Sequence, residues 1–311
     1  MKVVVKIGVV LSLYLGIFTS CVDKKIQETE VRFEETAFRP CCGEPSGVEK
    51  PLSIHLAVND TYCKKTACAC IHDIASRDYQ ELQTQLKKGF NIDLQLTYYI
   101  ESYEMEDQIK VKTHDGLICK PWTAFMLSQE HKIEYKRIVD VLDVYDNQWL
   151  NGVFLVNKNS SLKSISDIGG KTLVAGQEDA YEKYHSPLNL LDSIGVKPGI
   201  VYHKASCLEC LNELMDHKAE VALVSDYVMS ASCAVDVASE DDFRIIGETE
   251  KMPLCSVILD MNKISKADAM RFQNALLALS KEKSPEGMLS KGFVKPASWI
   301  PNRYSKPLAK N

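Results

Sequence analysis

Cys63, Cys68 and Cys70 crowd one short stretch of the chain, and Cys207 and Cys210 form a Cys-x-x-Cys pair. Thiols so spaced can do two kinds of chemistry. As thiolates they hold soft ions such as Cu(I), zinc or iron–sulfur centres, and a helix N-terminus favours that ionised form. As oxidised pairs they form disulfides, with Cys207/Cys210 or Cys63/Cys68 closing small loops. The metal-ligand candidates are Cys68, Cys70, Cys207 and Cys210, with His72 two positions beyond Cys70. The Cys-x4-Cys-x-Cys run matches no standard zinc framework. No Cys-x-x-Cys-His occurs, so covalent haem attachment is unsupported and no cofactor is implied.

An eleventh cysteine speaks to location. Met1 to Lys6 carries two lysines, Ile7 to Phe18 is a weakly polar to apolar run, and Thr19-Ser20 leads into Cys21. This is the order of a secretory signal, with an apolar region too short for a permanent membrane helix. Phe18-Thr19-Ser20-Cys21 resembles a bacterial lipobox, with Phe in place of the usual Leu. It implies cleavage before Cys21 and acylation there, anchoring an extracytoplasmic protein in a cell-envelope or periplasmic membrane leaflet. With Cys21 acylated, ten cysteines remain, compatible with five disulfides in an oxidising compartment. A chain this long needs no staples to fold, so the surplus asks for another reason.

Composition narrows the function classes. The full chain carries a net charge of −5, and removing the two lysines of residues 1–20 gives −5 minus 2, or −7. No clustered basic surface of the kind nucleic acid requires is evident. The hydrophobic fraction, 45%, suits a globular protein with a proper core. No Ser-His-Asp set, phosphate loop or metal-hydrolase motif is present, which argues against an enzyme.

The reactive residues must be carried by an α/β framework. Residues 21–50 are polar, acidic from Glu28 to Glu35, and broken by Pro40, Gly43, Pro45 and Gly47, as in a tether. One or both of Cys41 and Cys42 within it are expected to reach a partner in the body. Strands are predicted at Ser53–Val58, Ile92–Tyr99, Gly116–Lys120 and Arg137–Val144, with a helix over Thr66–Lys88 capped by Gly89 and another over Pro121–His131. The design repeats in strands Gly152–Val156, Thr172–Ala175, Val201–His203, Val221–Val224, Phe243–Gly247 and Leu254–Asp260. Helices are predicted at Asp179–Ile194, Cys207–His217 and Lys266–Lys281. Alternating strands and helices imply mostly parallel sheets. The expected domains are a signal at 1–20, a tether at 21–50, a first lobe at 51–148 completed by 255–311, and a second lobe at 149–254. The chain would cross near Trp149 and return near Pro253.

Gly152-Val-Phe-Leu-Val-Asn-Lys-Asn-Ser-Ser-Leu-Lys-Ser-Ile-Ser-Asp-Ile-Gly-Gly-Lys171-Thr-Leu resembles a segment of periplasmic solute-binding proteins of ABC transporters. Ser206-Cys-Leu-Glu-Cys-Leu-Asn-Glu-Leu214 and Ala219-Glu-Val-Ala-Leu-Val-Ser-Asp-Tyr-Val228 are similar to the helix and strand that follow. Their order resembles the phosphate/phosphite/phosphonate-binding branch, over about residues 51–283. The resemblance implies a two-lobe type II periplasmic-binding-protein fold with mostly parallel central sheets and a hinge between lobes. It implies a ligand at the carboxyl ends of the strands, where backbone N–H groups favour anions.

Departures from the pattern bear on the ligand. After Thr172–Ala175 the branch presents a Ser/Thr-rich helix start, whereas this chain reads Gly176-Gln-Glu-Asp-Ala-Tyr-Glu-Lys-Tyr184, with three carboxylates that would repel an oxyanion. Ser206-Cys207 replaces a Ser-His. Asp226 matches a position where family members contact a cationic ligand group. The candidate ligand-binding residues are Tyr62, Cys63, Trp122, Tyr181, Ser206, Cys207 and Asp226.

The resulting expectation is a monomeric lipid-anchored solute-binding protein that captures a phosphonate-like anion or a thiophilic ion, copper or arsenite among them, for an ABC permease. The alternative is a cysteine-based redox or ligand-sensing module feeding a membrane partner.

Overall fold

Short runs rich in aliphatic residues, most of them buried, form the first parallel strands, β1 (Leu52–Asn59), β2 (Ile92–Tyr98) and β3 (Gly116–Cys119), paired in the order β2-β1-β3. The computed structural model describes residues 50–67, 77–111, 113–230, 239–282, 288 and 290–306. The signal, Cys21, Cys41, Cys42, nearly all of the tether, Cys68, Cys70 and His72 lie outside the described residues. Contacts group Val48–Asn311 as one body, and everything described belongs to it.

Parallel strands need crossovers, here α1 (Gln80–Phe90) and α2 (Ser102–Lys110). Pro121 then opens α3 (Pro121–His131), which leads to β4 (Tyr135–Val141). The chain leaves through β5 (Trp149–Leu150) and builds a second sheet. That sheet holds β6 (Gly152–Asn157), β7 (Thr172–Ala175), β8 (Ile200–His203), β9 (Val221–Ser225) and β10 (Phe243–Glu248) in the order β10-β6-β9-β7-β8. It returns through β11 (Met252–Pro253), which pairs antiparallel with β5, Trp149 opposite Pro253. β12 (Ser256–Asp260) inserts antiparallel between β3 and β4, and β13 (Phe293–Val294) closes the first sheet's edge. In the first sheet β1 to β4 point one way; in the second, β7 to β10 do. The architecture is the mostly parallel two-lobe α/β fold that the sequence implies.

Among the departures from sequence expectation, three fall on the predicted helices. The helix predicted from Thr66 is, among the described residues, helical only from Gln80. Before it, the Thr66 hydroxyl bonds the Asp60 carbonyl at 2.7 Å, and Arg77 pairs as a short bridge with Cys63. Gly89 does not end α1; Asn91 does, in a left-handed conformation with φ 52° that Asn tolerates. The helix predicted over Asp179–Ile194 opens as a π-helical turn at Tyr181–His185 before α4 (Ser186–Ser193).

Under the first lobe, the Asp60 carboxylate accepts from Arg77 Nη1 on both oxygens, at 2.8 and 3.0 Å, and from the Tyr79 hydroxyl at 2.7 Å. Both charges are fully enclosed, an arrangement that tolerates no loss of one partner. It pins the β1 loop carrying Tyr62 and Cys63. The closing helix α6 (Lys266–Glu282) buries Ala269, Phe272, Ala275, Leu276 and Leu279, the apolar face read from the sequence. Residues 302–306 also contact the second lobe: the Asn302 carbonyl accepts from Asn189 at 2.7 Å, and the Tyr304 amide donates to His185 at 3.2 Å. Among the described residues no helix is long and apolar enough to cross a membrane.

Candidate functional site

The loop after β7 is packed against the start of β6 so tightly that only glycine fits at 152. A Cβ there would lie 1.8 Å from the Glu182 carbonyl oxygen. The π turn that follows has a wider helical circumference than α-helix, a form often found at functional positions. It lets Tyr181, Glu182, Tyr184 and His185 all point inward.

Glu182 is the electrostatic centre of this region. Its Oε1 accepts from Lys120 Nζ at 2.7 Å and from Ser225 Oγ at 2.9 Å, and the carboxylate side chain has no exposed surface. Lys120 precedes α3 in the first lobe; Ser225 ends β9 in the second. One carboxylate oxygen therefore ties the two lobes. Oε2 is buried without a hydrogen-bond partner, although the residue's own backbone amide favours its charge. Burial alone would push this carboxyl up, but the Lys120 and Lys183 charges outweigh it and hold it down at about 2. The charge stays ionised because cations surround it.

Aromatic rings seal the same junction. Trp122, almost wholly buried, packs with tilted rings at 4.9 Å from Tyr181 and 4.6 Å from His185, while Trp299 meets Tyr181 edge-on at 5.2 Å. The Tyr181 hydroxyl donates to Glu250. The indole nitrogens of Trp122 and Trp299 are buried without acceptors, as Glu182 Oε2 is without a donor. On the far side, Tyr62 packs edge-on against Tyr227 at 5.9 Å. Asp226 accepts from the Asn151 amide at 3.3 Å. Burial pushes Asp226 up to about 6, and the Glu182 charge adds to that push.

The candidates named from sequence thus separate. Trp122 and Tyr181 meet at the lobe junction, and Tyr62 lies within electrostatic reach of Asp226. Cys207 donates to Ser225 Oγ at 3.8 Å and so touches the Glu182 network indirectly. Ser206 is occupied as the cap of α5 (Cys207–Met215), accepting from the Glu209 amide at 3.1 Å. Cys63 is core, its thiol pushed up by burial.

The cysteines call for correction. Cys63, Cys119, Cys207, Cys210 and Cys255 are all buried and free, so the expected Cys207/Cys210 disulfide is not formed. Cys210 donates to the Ala175 carbonyl at 3.5 Å. Burial pushes both Cys119 and Cys210 up to about 12. A thiol so placed is protonated at neutral pH, the wrong form for a soft metal. Among the described residues no metal-ligating cluster contains a cysteine; the one cluster found is Glu106, Glu130 and His131 on the surface.

Sequence reasoning missed Lys120, Glu182 and Ser225. Glu182 was counted only as one of three repelling carboxylates; its burial depends on the π turn, which no spacing rule reveals. A testable consequence falls on Asp226. Its folded value lies above the unfolded 3.8, so ionisation opposes folding, with the cost absent below about pH 4 and complete above about pH 6. Asp226→Asn is expected to raise stability by about 1–2 kcal/mol at pH 7, after allowance for partial exposure, and to lose that gain as pH falls from 6 to 4. Urea unfolding across that range checks it; a gain that is independent of pH would refute it.

Comparison with known proteins bears on the whole body. The family model described as ABC transporter, phosphonate, periplasmic substrate-binding protein matches residues 72–297. Among solved structures, XAC2383 from Xanthomonas citri bound to ATP is 15% identical, covers 79% of this chain and 91% of that one, and gives a TM-score of 0.61. PhnD1 from Prochlorococcus marinus in complex with methylphosphonate is 16% identical over 80% of this chain and 93% of its own, with a TM-score of 0.55. A binding-protein component of an ABC phosphonate transporter from Pseudomonas aeruginosa is 11% identical over 79% and 82%, with a TM-score of 0.52. At such identities these likenesses establish the fold alone. No curated protein sequence matches the chain. The family model spans most of the body and both lobes, and the chain belongs to the phosphonate-binding family of periplasmic substrate-binding proteins of ABC transporters.

Proposed function

We propose that this chain is a lipid-anchored, monomeric receptor that captures a small phosphonate-like anion between its lobes and passes it to an ABC permease. One observation carries the reading at the site: donors from opposite lobes, Lys120 and Ser225, converge on a single oxyanion position. A solute oxyanion placed there would be held by both halves of the clamp, which is how binding energy becomes closure. The family is one of substrate-binding transport proteins rather than enzymes.

The thiophilic-ion reading has less behind it. Buried, protonated thiols at Cys119 and Cys210 offer no soft ligand, and the redox alternative needs a Cys207/Cys210 pair that exchanges with solvent although both residues are buried. The anchor rests on Cys21 and its lipobox-like context.

Two measurements test these points. Methylphosphonate, phosphite, phosphate, arsenite and Cu(I) would each be titrated while unfolding is followed. A phosphorus oxyanion at a hundred times its Kd should stabilise the protein by about 2.7 kcal/mol. Stabilisation by arsenite or Cu(I) and by no oxyanion of phosphorus would reverse the assignment. Cys21→Ser is expected to move the expressed protein from the membrane fraction to the soluble one; unchanged partitioning would exclude the lipid anchor.

A further inference from the structure

We infer that Glu182 is a built-in substitute for the bound anion, a tethered carboxylate that holds the lobes together until a solute oxyanion displaces it. The inference rests on the reading of the cleft as an oxyanion site. It adds what the family match does not supply: the chain's own side chain stands where the solute's charge would go.

Three observations carry it. The first is placement, because the carboxylate takes one donor from each lobe, Lys120 at 2.7 Å and Ser225 at 2.9 Å, on the same oxygen. An ordinary structural ion pair stabilises one domain; this one joins two. The second is incompleteness. Oε2 is enclosed yet accepts no hydrogen bond, and buried carboxylates normally have both oxygens served. Trp122 Nε1, on the ring packed against Tyr181, is likewise enclosed and unpaired. Of the two, the indole N–H is the one that calls for a further acceptor: an occupant with one more oxygen than a carboxylate could serve it. A phosphonate carries three oxygens where Glu182 carries two.

The third observation is the seat of the loop. Gly152 gives the Glu182 backbone a position no other residue would allow, with the carbonyl against the β6 backbone. The Thr249 hydroxyl accepts from the Gly152 amide at 2.9 Å and fixes that contact. Such fitting commits the side chain to the lobe junction rather than to solvent. Outside the loop, Ser102 of the first lobe donates to Asp179 of the second at 3.3 Å, and Tyr304 reaches His185. The tethered anion is thus the buried member of a set of ties across the junction.

Tethering has a quantitative consequence. An intramolecular competitor acts at an effective concentration in the millimolar range or above. A solute must outbid it, so the native chain should bind simple oxyanions weakly and discriminate in favour of ligands that also satisfy the unpaired groups. Removing the competitor's charge while keeping its shape should raise affinity for a plain oxyanion.

The experiment uses the full-length protein and its Glu182→Gln and Lys120→Met variants. Hydrogen exchange across residues 176–185 is measured without ligand, and methylphosphonate and inorganic phosphate are then titrated. The expected result is slow exchange in the native chain, faster exchange in both variants, and at least tenfold tighter methylphosphonate or phosphate binding by Glu182→Gln. Methylphosphonate should also restore slow exchange to Glu182→Gln, an added anion replacing the tethered one, and should fail to do so in Lys120→Met. Unchanged exchange in Glu182→Gln, or binding by the native chain at least as tight as by that variant, would overturn the inference. The exchange difference between native chain and variants reads the tie without any solute. Failure of the oxyanion reading, with no phosphorus oxyanion bound by any of the three, is therefore distinguishable from failure of the tether.

Discussion

A carboxylate removed from water stays charged only where cations and donors replace the water, and the region between the lobes follows from meeting that requirement for Glu182. Lys120 must lie at the start of α3 and Ser225 at the end of β9, both aimed at one oxygen. Gly152 must lack a side chain so that the loop can settle on β6. The π turn must turn four of its five residues inward, and Trp122 must cover Tyr181 and His185. Each condition is local, yet together they couple two sheets joined by a short antiparallel ribbon, β5 with β11.

That coupling changes how a hinged clamp works. A ribbon of two short strands permits rotation, and a bound ligand ordinarily supplies the energy that selects the closed form. Here the carboxylate, the packed rings and residues 302–306 already tie one lobe to the other. On the proposal that Glu182 stands in for the anion, the solute's task would be exchange at a junction already tied. Asp226 flanks the junction, and Tyr62 adds a ring contact across it to Tyr227.

The sequence made the framework legible where packing follows periodicity. Thr172–Ala175 and Pro121–His131 match their elements end to end, because an aliphatic run and an N-terminal proline are local signals. α2 escaped notice because Met105 and Ile109 are its only buried residues in a charged segment, too few for a visible stripe. Glycine was the wrong guess for the end of α1, since Asn91 can take the left-handed position. The site was less legible. Trp122 and Tyr181 were singled out as aromatics able to wall a pocket, and they do pack against each other. Lys120, Glu182 and Ser225 come from three separate elements, and no spacing brings them together before the fold does. The cysteines misled for a related reason: Cys207 and Cys210 are close along the chain and share one core, yet each thiol is buried on a partner of its own, Ser225 for Cys207 and the Ala175 carbonyl for Cys210.

The most direct measurement is a double-mutant cycle on Lys120 and Glu182, with Lys120→Met, Glu182→Gln and the double variant unfolded in urea at pH 7. A buried pair that ties the lobes predicts a coupling energy of about 2 kcal/mol or more, each single change costing nearly as much as both together. Additive effects, with a coupling near zero, would mean that the two charges are neighbours without being partners, and the account of the lobe junction would fail.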